Sequence, residues 1–344
     1  MNDRFLRACR REPTDCTPVW FMRQAGRYQG EYRALRARHS MLDLCRTPEL
    51  CAQVTLLPVE QLGVDAAILF ADIMLPLIGL GVPFDIVEGA GPVIGTPIRT
   101  DAQVDALRPL EPELDLSFVL EAIRLIRREI RVPLIGFAGA PFTVASYLIE
   151  GRGSRDLPQT KGMLHGAPAL WHRLMHRLTD ATITYLRAQV AAGAQAVQLF
   201  DSWVGALAPR DYETAVMPHM RRLFGALVAL EVPVVHFGTG TAGLLPLMAQ
   251  AGGDVIGVDW RIRLSDAWAR IGDAGIQGNL DPATLLAPFE VTAAAAREVL
   301  SDAAARPGHI FNLGHGVLPQ TPPDHLRRLV ELVHEHTQAA PGRP

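Results

Sequence analysis

The sequence predicts an α/β protein of the (β/α)8 barrel class, with its active site at the C-terminal mouth of the strands. Three observations carry that reading. Short apolar runs rich in Val, Ile and Phe alternate with longer helical patterns, about eight times along 344 residues. Each run is too short for a helix and too continuously apolar for a strand with one wet face, as strands buried on both sides should be. Nearly every run also ends in a polar residue, where a barrel of this kind gathers its catalytic groups. A doubly wound open sheet is the competing architecture. The lack of a G-x-G-x-x-G turn after an early strand weakens its dinucleotide-binding version.

In order, the runs are PVWFMRQ (from Pro18), DAAILFAD (from Asp65), VPLIGFAG (from Val132), AVQLFDS (from Ala196), VPVVHFG (from Val232), DVIGVDW (from Asp254), GIQGNLD (from Gly275) and HIFNLGHG (from His309). They finish in Arg23, Asp72, Gly139, Asp201 and Ser202, His236, Asp259, Asn279 to Asp281, and His315. A single polar residue at a strand end is ordinarily a helix cap, and Asp281 before Pro282 is read as one. A whole set in the same position is read as a site. In the helical stretch DHLRRLVELVHEH (324–336), Leu326, Leu329, Val330 and Val333 share a face. Thr321 is the expected N-cap there and Pro322 the first helical residue. No linker rich in Pro, Gly or Ser divides the chain, so one domain over 1–344 is expected.

With 49% hydrophobic and 20% charged residues, the chain can bury one large core. No apolar stretch approaches the roughly 18 residues that span a bilayer. MNDRFLRACRREP has no apolar segment of the secretory kind, so a cytoplasmic protein is expected. Cys9, Cys16, Cys45 and Cys51 form no C-x-x-C or C-x-x-H pair, and reduced thiols are expected. A net charge of −3 argues against a general nucleic-acid binder. The distribution is uneven: residues 1–46 hold ten arginines against five acids, +5, and the remainder is −8. A cationic end on an acidic chain suits an anionic small ligand, or else a basic arm lying in solvent.

Arg23 and Arg27 lead the candidate residues. A guanidinium fork matches carboxylate or phosphate at two points and stays charged. Gly26 between them permits a close turn through which backbone amides face a ligand; an ion pair with Glu31 is the plainer alternative. Asp72 either caps the next helix or, beside the arginines, stabilises a developing cation. In GFAGAPFTVASYLIEG, Tyr147 is expected near the start of a helix opened by Pro141, pointing across the mouth or filling the core. Ser202 lies in LFDSWVG, which is no G-x-S-x-G elbow, so a nucleophilic role is not expected. His315 in NLGHGVLP stands between two glycines that would leave it open to a ligand. No HExxH motif, His-x-Cys pair or Walker A loop occurs. The residues by themselves point to a barrel enzyme without metal that binds a small polyanion at a cationic mouth.

PVWFMRQAGRY, the Asp after ILFA, GFAGAPFTVASYLIEG, QLFDSWVG, HFGTGT, GVDW, QGNLDP and NLGHGVLP resemble, in the same order, the signature segments of the uroporphyrinogen decarboxylase family. The resemblance spans about residues 4 to 336. It implies a single barrel, often a homodimer, that decarboxylates the four acetate arms of uroporphyrinogen III without a cofactor. It implies substrate binding by Arg23, Gln24, Ala25, Gly26, Arg27, Asp72, Tyr147, Ser202 and His315, with the basic segment of about 1–46 contributing. Asp72 and Arg23 would be catalytic; Arg23, a protonated substrate carboxyl or water could each supply the proton. The sequence departs from the pattern at Gln29-Gly30, usually Leu-Pro, and at RIRL after GVDW, which replaces an acid with a base. A corrinoid-linked methyltransferase of the same fold and a non-catalytic tetrapyrrole-binding protein are the alternatives. The first needs late His and Cys ligands, and the cysteines are absent there.

Overall fold

The computed structural model describes residues 2–87 and 89–338; the ends of the expected 1–344 domain lie outside them. Among the described residues nine strands occur in chain order: β1 (Ala67–Ile68), β2 (Phe84–Val87), β3 (Gly91–Ile94), β4 (Leu134–Gly139), β5 (Ala196–Asp201), β6 (Val234–Gly238), β7 (Val255–Gly257), β8 (Gly275–Gln277) and β9 (His309–Ile310). Seven form one sheet in the order β1-β4-β5-β6-β7-β8-β9, every neighbouring pair parallel. Each of the last seven predicted runs contains one of these strands. The antiparallel β2–β3 hairpin was not anticipated. Its residues alternate between half-buried and exposed along β2, and Val87 lies in the open.

The parallel strands are largely apolar because helices cover their outer face and side chains fill the inner one. Every residue of β4 and β6 is buried. The longest helix, Pro168–Ala192, packs against β4 and against helices Ser117–Glu129, Pro141–Glu150 and Met217–Leu227. Polar side chains on the inner face report the curl of the sheet. Gln277 of β8 donates to Gln198 of β5 at 3.0 Å, and accepts from the Trp20 indole at 3.0 Å. Strands three places apart in a flat sheet would lie about 14 Å from each other, so only a strongly curled sheet brings these amides together.

The first predicted run, from Pro18, is not a strand. It makes one parallel bridge, Val19 to Phe311, with Phe311 N–H donating to the Pro18 carbonyl at 2.9 Å. Val19 also faces β1: its carbonyl accepts from Asp65 N–H at 2.7 Å and its own N–H donates to the Asp65 carboxylate at 2.8 Å. Asp65 is buried and accepts as well from Asn2, Arg4 and His334. These partners hold its carboxyl below the ordinary range against the cost of burial. One aspartate therefore ties both ends of the described chain beneath the sheet, at the end remote from the strands' C-termini.

Two local expectations shift. The last helix runs Pro323–Thr337 with Pro322, not Thr321, at the N-cap, and the Thr321 side chain is buried without a partner among the described residues. Asp281 does cap, accepting from Ala283 N–H at 2.9 Å.

Candidate active site

Beyond Trp20 the backbone makes two successive tight turns, and an arginine stands at the corner of each. The first is closed by Gln24 N–H donating to the Phe21 carbonyl at 3.0 Å, and Arg23 occupies its third position with φ +59°. That left-handed conformation is one a turn of this shape normally gives to glycine. The Gln24 side chain fixes the turn, accepting from Phe21 N–H and donating to the Ala66 carbonyl, both at 3.1 Å. The second turn is closed by Gln29 N–H to the Gly26 carbonyl at 3.0 Å, and Arg27 follows Gly26. Both guanidinium-bearing residues are exposed, and neither makes an ion pair among the described residues, Glu31 included. Of the amides between them, Gln24 N–H is spent on Phe21, and Gly26 N–H on the Gln29 side chain at 3.1 Å.

Asp72 lies four residues past β1 and accepts from Met74 N–H at 2.8 Å, the local turn bond of a short polar side chain. Its carboxyl is crowded by protein yet still reaches solvent. Burial pushes its pKa up; the Met74 N–H and the positive charge of Arg23 push it back down. Tyr147 feels both Asp72 and Arg23, and burial holds its phenol above the ordinary value. It is the seventh residue of helix Pro141–Glu150, nearer the end than the expected start, and its ring meets Trp203 edge-on at 5.8 Å. Trp203 is anchored in turn: its N–H donates to Thr143 Oγ1 at 3.2 Å, and that hydroxyl donates to Asp201 at 3.0 Å. Ser202 is half-buried beside it, with its carbonyl accepting from Thr239 Oγ1 at 2.6 Å.

His315 completes the ring of groups. A Cβ on Gly314 would stand 2.5 Å from Trp260 N, and one on Gly316 would stand 2.3 Å from Arg23 Cδ. The two glycines thus let the loop after β9 fill the gap between the Arg23 stem and the loop after β7. Burial first, then the charges of Arg23 and Arg261, lowers the His315 pKa to about 4, with Asp259 opposing. The imidazole is neutral at pH 7.

The structure brings Arg23 into electrostatic reach of Asp72, Tyr147 and His315, and Tyr147 into reach of Asp72 as well. His236 does not join them. It sits inside β6, fully buried, with its ring against Phe224 at 5.2 Å on the helix side. Alternation along a strand sends a residue outward when its neighbours point inward, and reading the end of VPVVHFG without its register missed this.

The family model described as "Uroporphyrinogen decarboxylase (URO-D)" matches residues 1–336. A uroporphyrinogen decarboxylase of Thermus thermophilus is 57% identical over 335 residues, covering 97% of this chain and 98% of that one. One of Carboxydothermus hydrogenoformans is 55% identical over 338 residues, covering 97% of each. The chain belongs to the uroporphyrinogen decarboxylase family. Among solved structures, a methyltransferase from Methanosarcina mazei superposes with a TM-score of 0.81 at 23% identity, covering 97% of this chain and 98% of that one. A B12-independent methionine synthase from Shewanella reaches a TM-score of 0.56 at 12% identity, covering 84% of this chain and 88% of that one. At such identities these two likenesses concern the fold alone.

Gln29 and Arg261, in the two segments noted in the sequence, each have defined partners. Gln29 is buried; it closes the second arginine turn through Gly26 and donates to Gln61 at 2.9 Å. Arg261 pairs with the buried carboxylate of Asp259 and lies over the Trp260 ring at 4.2 Å. Trp203 and Thr143, which position Tyr147 and the end of β5, were missed, because nothing in the chain marks a tryptophan at 203 as the partner of a tyrosine at 147.

Proposed function

We propose that this chain decarboxylates the four acetate side chains of uroporphyrinogen III to methyl groups, yielding coproporphyrinogen III in haem and porphyrin biosynthesis. The observation that carries the reading is the placement of Arg23 within reach of a half-buried Asp72, of Tyr147 and of His315, in a chain of the uroporphyrinogen decarboxylase family. Two exposed guanidinium forks without carboxylate partners among the described residues suit a tetrapyrrole carrying eight carboxylates.

The chemistry follows from the substrate. Protonation of a pyrrole carbon makes a ring cation. The bond to the acetate carboxylate then breaks, its electron pair neutralises the cation, and CO2 leaves. A second proton is taken up at the exposed methylene to form the methyl group, and the proton added to the ring is lost again. Each step of the four consumes one proton net and releases one CO2. The electron sink is the pyrrole itself, so no cofactor is required. Asp72 stabilises the cation and accepts from pyrrole N–H groups, as preorganised charge. Arg23 and Arg27 hold substrate carboxylates, and the amide role between them falls to Ala25 and Arg27. Arg23 has a second, catalytic task, since its charge favours the ionised form of Asp72. Gln24 and Gly26 shape the two turns. Tyr147, Ser202 and His315 line the pocket, His315 as a neutral hydrogen-bonding group.

The sheet is taken to close into a single (β/α)8 barrel domain, with the Pro18 segment as the eighth stave. Its hydrogen bonds to Phe311 on one side and Asp65 on the other support that closure. No helix among the described residues is long and apolar enough to cross a membrane, and a cytoplasmic homodimer is the expected form; light scattering of the purified protein measures the second point. The function is tested by incubating metal-stripped protein anaerobically with uroporphyrinogen III and resolving the oxidised porphyrins by carboxyl number. Four carboxyls lost is the expected result, and binding without loss would overturn the reading.

A further inference from the structure

Arg261 stands four residues beyond β7, as Asp72 stands four residues beyond β1. In the sheet order, β7 is four places from β1, so a curled sheet of this size puts the two loops on opposite sides of the mouth. Three features fix Arg261 there. Its Nη1 donates to Asp259, its own backbone N–H donates to the same carboxylate at 3.0 Å, and its guanidinium lies on the Trp260 ring at 4.2 Å. Asp259 is itself buried and pinned by Gly240 N–H at 2.6 Å. Yet the Arg261 side chain remains 53% exposed. A guanidinium has five N–H donors; Asp259 engages one edge and leaves others facing outward.

The neighbouring loop closes the geometry. Gly314 abuts the Trp260 backbone and Gly316 abuts the Arg23 stem, so His315 is set between the two arginines. Resting on the decarboxylase reading above, we propose that Arg261 is a substrate-positioning residue that binds a carboxylate of the pyrrole ring opposite the one held at Asp72. Asp259 and Trp260 preorganise it, which spares the flexible side chain the entropy of being fixed on binding. Arg263, two residues on, serves no such purpose: it is 74% exposed and pairs with Asp302 on the outer helix Phe289–Ala303.

The test compares Arg261→Met, Arg261→Lys and Arg263→Met. Anaerobic tryptophan quenching gives Kd for uroporphyrinogen III, and turnover gives KM and kcat. Arg261→Met should raise Kd and KM about tenfold, in line with loss of a charged hydrogen bond, with kcat little changed; the thermal midpoint falls too, because the buried Asp259 carboxylate loses its charged partner. Arg261→Lys should recover much of the loss, and Arg263→Met should match the wild type. Repeating the KM measurement on hepta-, hexa- and pentacarboxylate intermediates identifies the arm. A constant increase means a propionate, which survives every step; an increase that fades means an acetate. Kd and KM within twofold of wild type for Arg261→Met would overturn the proposal, as would a loss of kcat and stability with Kd unchanged. A wild type that binds but does not turn over would refute the decarboxylase reading instead, and Kd would still decide the role of Arg261.

Discussion

Replacing Asp72 by Asn removes one charge and almost nothing else. Asn keeps an oxygen to accept the Met74 N–H now held at 2.8 Å. A carboxylate about 4 Å from a pyrrole cation, at an effective dielectric near 20, contributes roughly 4 kcal/mol. That corresponds to about a thousandfold in kcat, at the upper end of what removing one preorganised electrostatic partner costs. KM should move little, because in the proposed reading the arginines hold the substrate. Stability should move the other way. Burial raises the Asp72 pKa, so the folded state binds the proton more tightly than the unfolded chain. The stabilisation available to the protonated acid is present below the unfolded pKa and lost as pH rises through the folded one. At pH 7 the ionised group destabilises the fold, and Asn relieves it. Single-turnover assays and urea denaturation read the two effects. A fall in kcat of less than tenfold, or a drop in stability, would refute the reasoning.

The same raised pKa places the acid limb of kcat/KM above the ordinary carboxylate value of 3.8. Arg23→Met, which removes the charge that lowers it, should move that limb further up, as pH–rate profiles would record. Gly205→Ala aims a methyl 2.1 Å from the Thr239 carbonyl, with Gly240 backbone atoms at 2.8 Å; neither can yield without moving the loops, so denaturation should show a loss of roughly 1–3 kcal/mol. Burial holds His219 and His309 at a pKa of about 4, against 6.5 when unfolded. Their contribution is full above pH 6.5 and is lost as pH falls toward 4. It amounts to roughly 3 kcal/mol each at the low end of the window, and His219→Asn should flatten that decline in urea midpoints.

Period and run length made the parallel strands legible, since burial on both faces leaves a mark that survives without an alignment. The hairpin of β2 and β3 left almost none, as its half-exposed, mixed residues look like loop. The Pro18 segment shows the opposite failure. Its apolar run is as strong as any other, but the backbone must turn at Phe21 to present Arg23, and that turn uses the hydrogen bonds a longer strand would need. The candidate site was legible in part as a set of polar strand ends: Arg23, Asp72 and His315 lie near one another through Arg23, whereas Asp201 and His236 are fully buried within their strands. Its supports were not: Gln29 on Gln61, Thr143 on Asp201 and Trp203 against Tyr147 join residues between 32 and 58 positions apart. His236 was misplaced for want of a register, which a single sequence does not supply.

Arg23 shares a left-handed backbone with five other non-glycine residues among those described, and is the one that stands in the candidate site. Its φ of +59° lies in the left-handed region, and no aspartate or asparagine side chain is there to ease it. Holding a non-glycine residue in such a conformation costs on the order of 1 kcal/mol or more. A glycine at 23 would remove the strain and also the guanidinium; an alanine would remove the guanidinium alone. Comparing Arg23→Gly with Arg23→Ala therefore isolates the backbone term. If the turn is strained, the glycine variant should be the more stable by about 1 kcal/mol in urea denaturation, even after glycine's greater freedom in the unfolded chain is counted against it. Both should lose substrate affinity to a similar extent, because neither retains the fork. An alanine variant at least as stable as the glycine one would mean that the turn holds Arg23 without strain.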